Sequence, residues 1–260
     1  MGWWSASIMG GDSPLDWQAE IAENCGLESE VGAQFTREAL DDALRGEVDS
    51  ESFPILPALA DTVAQFSIPP EHLHEVIDGV EQDLHRRRYE TFEDLKDYCR
   101  LVASAVGLAC IHIWGFRDRA AIQPAVDCGI AFQLTNILRD LKEDAGRDRV
   151  YLPQQDLDRF GYTIEQLRDG VCDDRFRQLM EFEIDRAEEF YQSASPLAGY
   201  LDGDGQRILR AMVSTYHALL QEIRRAGGKV LRGRVRLSRA KKIWFAASAL
   251  LSGSLTSPRI

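Results

Sequence analysis

Gln133-Leu-Thr-Asn-Ile-Leu-Arg-Asp-Leu-Lys-Glu-Asp144 carries Asn136, Asp140 and Asp144 at positions i, i+4 and i+8. At 3.6 residues per helical turn each step drifts by only ~40°, so the three side chains leave one face of a helix. Gln133 lies one turn earlier on nearly the same face. An amide and two carboxylates are hard oxygen donors, the set that Mg²⁺ accepts when substrate phosphates and water complete its shell. The chain has no His/Cys cluster that would indicate a softer metal. A competing reading is a solvated helix end. Asp140, Glu143, Asp144 and Asp148 interleave with Arg139, Lys142, Arg147 and Arg149, as they do on salt-bridged surfaces.

Outward from this stretch the punctuation is helical throughout. The helix is expected to begin near Arg119, with Pro124 in its first turns or at a kink, and to end at Gly146. Upstream, Pro69-Pro70 opens a helix whose Leu73, Val76, Ile77, Val80 and Leu84 form one apolar face. Thr91 and Asp94 form a capping box for a helix from Phe92 to Trp114, stopped by Gly115. Downstream, Pro153 opens a short helix closed by Gly161, and Thr163 and Gln166 form a second capping box. Further helices are expected over Asp173–Ala194, Asp204–Ala226 and Ser238–Ser252, with a break at Gly227-Gly228. Strand signals are scarce. The expectation is an all-α fold: a single-domain helical bundle around a central cavity, over residues 40–252. Residues 1–39 form an atypical N-terminal segment with weak periodicity, and 253–260 a tail.

Composition bounds the function. The 260 residues are 45% hydrophobic and 28% charged, a globular balance. A net charge of −12 argues against nucleic acid as a partner, because phosphate backbones would repel the chain. Five widely spaced cysteines without a CxxC argue against a disulfide framework and for a reducing, cytoplasmic setting. The start lacks a basic segment followed by an apolar core, and the longest apolar run, Leu101 to Phe116, is short for a membrane span.

The flanks of the acidic stretch carry a resemblance. With Gly146-Arg-Asp-Arg-Val-Tyr-Leu-Pro153 after it, Gln133–Asp144 resembles the second aspartate-rich motif of the squalene/phytoene synthase family. Tyr98-Cys-Arg-Leu-Val-Ala-Ser-Ala-Val-Gly107, Ile77-Asp-Gly-Val-Glu-Gln-Asp83 with Arg88-Tyr89, Tyr216-x-x-Leu-Leu and Arg234-Val-Arg-Leu-Ser238 resemble further family segments. The resemblance covers about Leu40 to Lys242. It implies an isoprenoid synthase-type fold and head-to-head condensation of two prenyl diphosphates, farnesyl or geranylgeranyl, to (pre)squalene or phytoene. It implies Mg²⁺, with Mn²⁺ as an alternative, and NADPH only if the product is squalene. By motif, Asn136, Asp140 and Asp144 are the implied metal ligands, and Arg139, Tyr216 and Arg234 the implied diphosphate contacts. Tyr98 and Gln133 are implied to line the substrate site, with Asp83 beside them. Asp140, Asp144 and Tyr98 are the implied catalytic residues. The small, apolar run Leu101–Ala109 suits either an isoprenoid slot or a closely packed core helix.

The family's first aspartate-rich motif, Arg-x-x-Asp-Asp-x-x-Asp, is not found. The nearest string, Phe35-Thr-Arg-Glu-Ala-Leu-Asp-Asp42, has its Arg-to-Asp spacing one residue too long, which turns the carboxylates ~100° around a helix. The chain therefore reads as N-terminally shortened or replaced. Two alternatives stay open: a catalytically impaired prenyl-diphosphate binder or partner subunit, and a helical interaction protein whose acidic helix is only surface. Finally, Arg224, Arg225, Lys229, Arg232, Arg234, Arg236, Arg239, Lys241 and Lys242 form a basic run followed by Trp244-Phe245. It reads as a solvated helix end, as diphosphate contacts, or as a peripheral attachment to anionic lipid at the inner face of a membrane.

Overall fold

The computed structural model describes residues 30–47, 55–238, 240, 241 and 244, and among these the structure is helical, with one isolated antiparallel bridge between Phe116 and Leu201. The helices are α1 (Glu30–Arg45), α2 (Leu56–Phe66), α3 (Pro70–His85), α4 (Phe92–Cys99), α5 (Ala105–Trp114), α6 (Ile122–Gly146), α7 (Gln154–Arg159), α8 (Ile164–Asp169), α9 (Asp174–Ala194), α10 (Leu197–Tyr200) and α11 (Gly203–Ala226). A 3₁₀ turn, Gly227–Leu231, follows α11 at the Gly227-Gly228 break. Most of the expected Ser238–Ser252 helix and residues 1–29 lie outside the described residues.

The caps explain the boundaries. Thr91 Oγ1 accepts from the Asp94 amide while Asp94 accepts from the Thr91 amide, and Thr163 and Gln166 do the same at α8. Each pair satisfies amides that a helix start leaves free. Asp173 accepts from the Phe176 amide at 3.0 Å and starts α9. Gly115 (φ +78°) and Gly170 (φ +70°) stop their helices in conformations costly to other residues. Pro124 sits in the first turn of α6, where its missing N–H is not needed. The sequence pattern did not indicate α1 or α2. α1 crosses the expected boundary at residue 39/40, and its Leu40 packs with Ile77 and Val80 of α3.

Helix α6 is the axis of the fold. It is buried on almost every side from Ala125 to Asp144, and α4, α5, α8, α9 and α11 pack around it. The expected single helix from Phe92 to Trp114 is interrupted by a π-helical turn, Arg100–Ser104. That turn is gripped between two glycines. A Cβ on Gly79 of α3 would stand 2.6 Å from Val102 Cγ1, and one on Gly129 of α6 would stand 2.6 Å from Ser104 Cα. Ser104 Oγ donates to the Val126 carbonyl at 2.7 Å, fastening the turn to α6. The Leu101–Ala109 run is therefore, at Ser104, a site of direct backbone approach.

Candidate active site

The acidic face of α6 is not a solvated surface. Gln133, Asn136, Arg139, Asp140 and Asp144 are all buried, Asp140 at 2% and Asp144 at 8% exposure. Lys142, Glu143, Arg147 and Asp148 are the exposed members of the same stretch. The helix thus sorts its charges, keeping Asp140 and Asp144 inside.

Two arginines converge on Asp140. Arg139 folds back along the helix and donates from Nε (2.8 Å) and Nη2 to the two carboxylate oxygens. Arg234, from the segment after the 3₁₀ turn, brings Nε to 2.9 Å from Asp140 Oδ1. Two guanidinia on one carboxylate leave local positive charge beside the face. Tyr216 of α11 lies against the same group. Burial pushes its hydroxyl up to about 12, opposed by Arg139 and by a hydrogen bond with Asn136. Its ring stacks on Phe132 at a centroid distance of 4.4 Å.

A second group comes from α3, α4 and the segment after α6. Asp83 accepts from the Tyr98 hydroxyl at 2.9 Å and from the Tyr151 hydroxyl at 3.0 Å. Arg149 Nη2 donates to the Asp83 carbonyl at 3.1 Å. Desolvation raises the Asp83 carboxyl above its ordinary range, against the pull of Arg149 and both tyrosines. The rings of Tyr89, Tyr98 and Tyr151 lie 5.4–5.8 Å apart as one aromatic wall.

Asp144 joins the two groups. Its carboxyl is pushed up to about 7, first by burial and then by the charge of Asp140, with Asp83 adding to the rise and Arg147 and Arg149 opposing it. Asp144 Oδ2, Asn136 Oδ1 and Gln133 Nε2 are buried without a hydrogen-bond partner. Buried polar atoms are rarely left so, and two orphaned oxygens on one face fit a ligand that seeks oxygen, such as a hard cation. Among the described residues no three His, Cys, Asp or Glu side chains form a self-sufficient metal cage.

The structure brings all nine sequence-predicted residues to this region: Gln133, Asn136, Arg139, Asp140 and Asp144 on α6, Tyr216 and Arg234 against them, and Asp83 with Tyr98 alongside. Tyr151, Arg149 and Tyr89 join the site as well, and no spacing pattern marks them, although all three lie in segments that carry the resemblance. Asp41 and Asp42 are engaged elsewhere, Asp41 with His74 at 3.1 Å and Asp42 with Arg45. In the basic run, Arg224 pairs with Asp185 and Glu181, Arg225 with Glu222, and Lys241 with Glu222, as a solvated helix end would. Cys99, Cys110 and Cys128 are buried free thiols, and Cys172 is an exposed one. No described helix is long and apolar enough to cross a membrane.

The sequence profile described as squalene/phytoene synthase matches residues 18–241, beginning further upstream than residue 40. The chain is 36% identical over 210 residues to the 15-cis-phytoene synthase of Synechococcus elongatus, covering 76% of this chain and 68% of that protein. It is 36% identical over 223 residues to the phytoene synthase of Mycobacterium bovis, covering 84% and 74%. In three dimensions it is similar to a crystal structure of a dehydrosqualene synthase in complex with ligand, with a TM-score of 0.81, 24% identity, and coverage of 90% of this chain and 82% of that one.

Proposed function

This chain belongs to the squalene/phytoene synthase family of prenyltransferases, and from that premise we propose that it condenses two prenyl diphosphates head to head, with phytoene as product. The observation that carries the reading is the buried face of α6, where Asn136 and Asp144 present unpartnered oxygens beside two arginines gathered on Asp140. Asn136, Asp140 and Asp144 would hold Mg²⁺, with Mn²⁺ as the alternative. The ion, when bound, neutralises diphosphate charge as it develops on departure. Arg139 and Arg234 hold fixed positive charge at the same place, preorganised by their pairing with Asp140. Tyr216 closes that side, and its stacking on Phe132 fixes where its hydroxyl points.

Departure of diphosphate leaves an allylic cation. The Tyr89–Tyr98–Tyr151 wall offers ring faces that favour positive charge, and the surrounding apolar core keeps water away from it. Asp83 holds the Tyr98 and Tyr151 hydroxyls so that neither ring turns. The reading as an impaired binder has no support in relatives that are themselves named as synthases. The reading as an interaction protein with an acidic surface conflicts with the burial of Asp140 and Asp144. We further propose peripheral contact with the inner face of a membrane, in the cytoplasm, through the segment that carries the exposed Trp244. Failure of the chain to sediment with anionic vesicles would remove that contact.

The test of the activity is product analysis on the full chain with geranylgeranyl or farnesyl diphosphate, with and without Mg²⁺ and NADPH. Phytoene from geranylgeranyl diphosphate without NADPH is expected, lost on chelation. Asn136→Ala and Asp144→Ala should each lower turnover by about a hundredfold or more. Absence of turnover by the unaltered chain refutes the proposal.

A further inference from the structure

The turn that ends α6 is held by an unusual residue. Asp148 has φ +59°, a left-handed conformation that few non-glycine residues adopt. Its carboxylate receives guanidinia from two other elements: Arg88, from the link between α3 and α4, at 2.6 Å, and Arg168 of α8. Arg87 approaches to 3.8 Å. Arg88 also donates to the Asp148 carbonyl at 2.6 Å. Three like charges are thereby collected on one side chain, an arrangement that repels itself without Asp148 at its centre.

This knot sits between the two halves of the active site. On one side, the Asp144 carbonyl accepts the amides of Arg147 (2.9 Å) and Arg149 (2.8 Å), so the turn closes directly on the residue that bears the orphaned carboxylate oxygen. On the other, the segment after α3 runs beside the segment after α6. The Val150 amide donates to the Arg87 carbonyl at 3.0 Å, and the Gln154 amide to the Tyr89 carbonyl at 2.8 Å. Arg149 crosses to the Asp83 carbonyl. Arg88 lies within this crossing, between Asp83 and Tyr89. Surface ion pairs taken singly stabilise little. Here several converge on the one turn that sets where α6 ends relative to α3.

We propose that Asp148 is a positioning residue for the condensation: by clamping Arg88 and Arg168 it fixes the Asp144 and Arg149 side chains relative to Asp83. Its catalytic consequence rests on the prenyl-diphosphate reading above, whereas its geometric consequence does not. Asp148→Asn keeps the size and the tolerance of the left-handed region but removes the charge, and Asp148→Gly relieves the backbone.

Hydrogen exchange and steady-state kinetics on the full-length chain separate the outcomes. In both variants the amides of Arg147, Arg149 and Val150 should exchange about tenfold faster, and the Mg²⁺ concentration for half-maximal turnover should rise about tenfold, the lower end of what outer-shell partners of a metal site contribute. kcat at saturating Mg²⁺ and the melting midpoint should change far less. Unchanged exchange in both variants overturns the clamp. Faster exchange with an unchanged Mg²⁺ requirement overturns its role in positioning. If the unaltered chain shows no turnover, the functional reading fails by itself, and the exchange rates alone decide whether Asp148 fixes the turn.

Discussion

Asp140 is paired with Arg139 and Arg234, and its own exposure is 2%. Removing its carboxylate takes from two guanidinia in a buried region a counter-charge that both of them hold. Breaking a buried pair from one side typically costs about 3–5 kcal/mol. Asp140→Ala should therefore lower the melting midpoint markedly in the absence of substrate, as read by thermal denaturation, while Asp144→Ala should not. Asp144 sits with its carboxyl pushed up to about 7 and one oxygen unpartnered, so its removal relieves a burden. Equal loss in the two variants would contradict this assignment. At this scale the sequence was partly legible. The i, i+4, i+8 spacing placed Asn136, Asp140 and Asp144 on one face, but spacing cannot tell a buried face from a wet one. The fold-back of Arg139 onto its neighbour and the reach of Arg234 depend on long side chains meeting in a tertiary environment. Tyr151 on Asp83 is likewise a contact 68 residues apart in sequence that no local pattern encodes.

At the scale of elements, capping boxes and prolines made most helix boundaries readable, because each satisfies local amides through residues a few positions apart. The π-helical turn at Arg100–Ser104 was not readable. Its cause lies in α3 and α6, where Gly79 and Gly129 let the turn approach. Gly129 is the stringent position, since the clash is with the Ser104 backbone, which cannot rotate aside. Gly129→Ala should cost about 1–3 kcal/mol through overpacking, measurable as a lower urea midpoint with little change in slope. An unaltered midpoint would mean that α6 and the turn separate freely. Gly146→Ala, where an added Cβ meets nothing within 4 Å, is the matched control.

The whole molecule carries a pH dependence of its own, away from the catalytic face. Arg186 of α9 lies between Asp156 (2.8 Å) and Glu183 (2.7 Å), with its guanidinium over the rings of Phe92 and Phe182. Two buried acids share one base. Burial, with the nearby Asp156, pushes the Glu183 carboxyl from 4.5 up to about 8. A carboxyl raised in the folded state contributes stability that is fully present below its ordinary value and is lost as pH rises through the raised one. The folded protein should thus lose stability from about pH 4.5 to beyond about pH 8 on account of this group. Glu183→Gln should remove that loss, so its melting midpoint should exceed the parent's at pH 9, each 1 kcal/mol reading as about 2–4 °C, and should show no such advantage at pH 5. A constant offset across that range would place the titration elsewhere.

The π-helical turn has one more consequence, for how this protein can be compared and edited. Such a turn holds one residue more than the α-helical turn it replaces, so residues before Arg100 and after Ser104 follow two different phases of one helical wheel. Tyr98, which meets Asp83, belongs to the first phase, and the residues of α5 that pack on α6 belong to the second. A single-residue deletion between 100 and 104 would be absorbed quietly by the backbone as an ordinary helix. It would leave Tyr98 and α5 facing as they do now and would remove only the bulge that Gly79 and Gly129 accommodate. Matched to an uninterrupted helix, the chain needs a one-residue gap between 100 and 104 for Tyr98 and α5 both to stay on their faces.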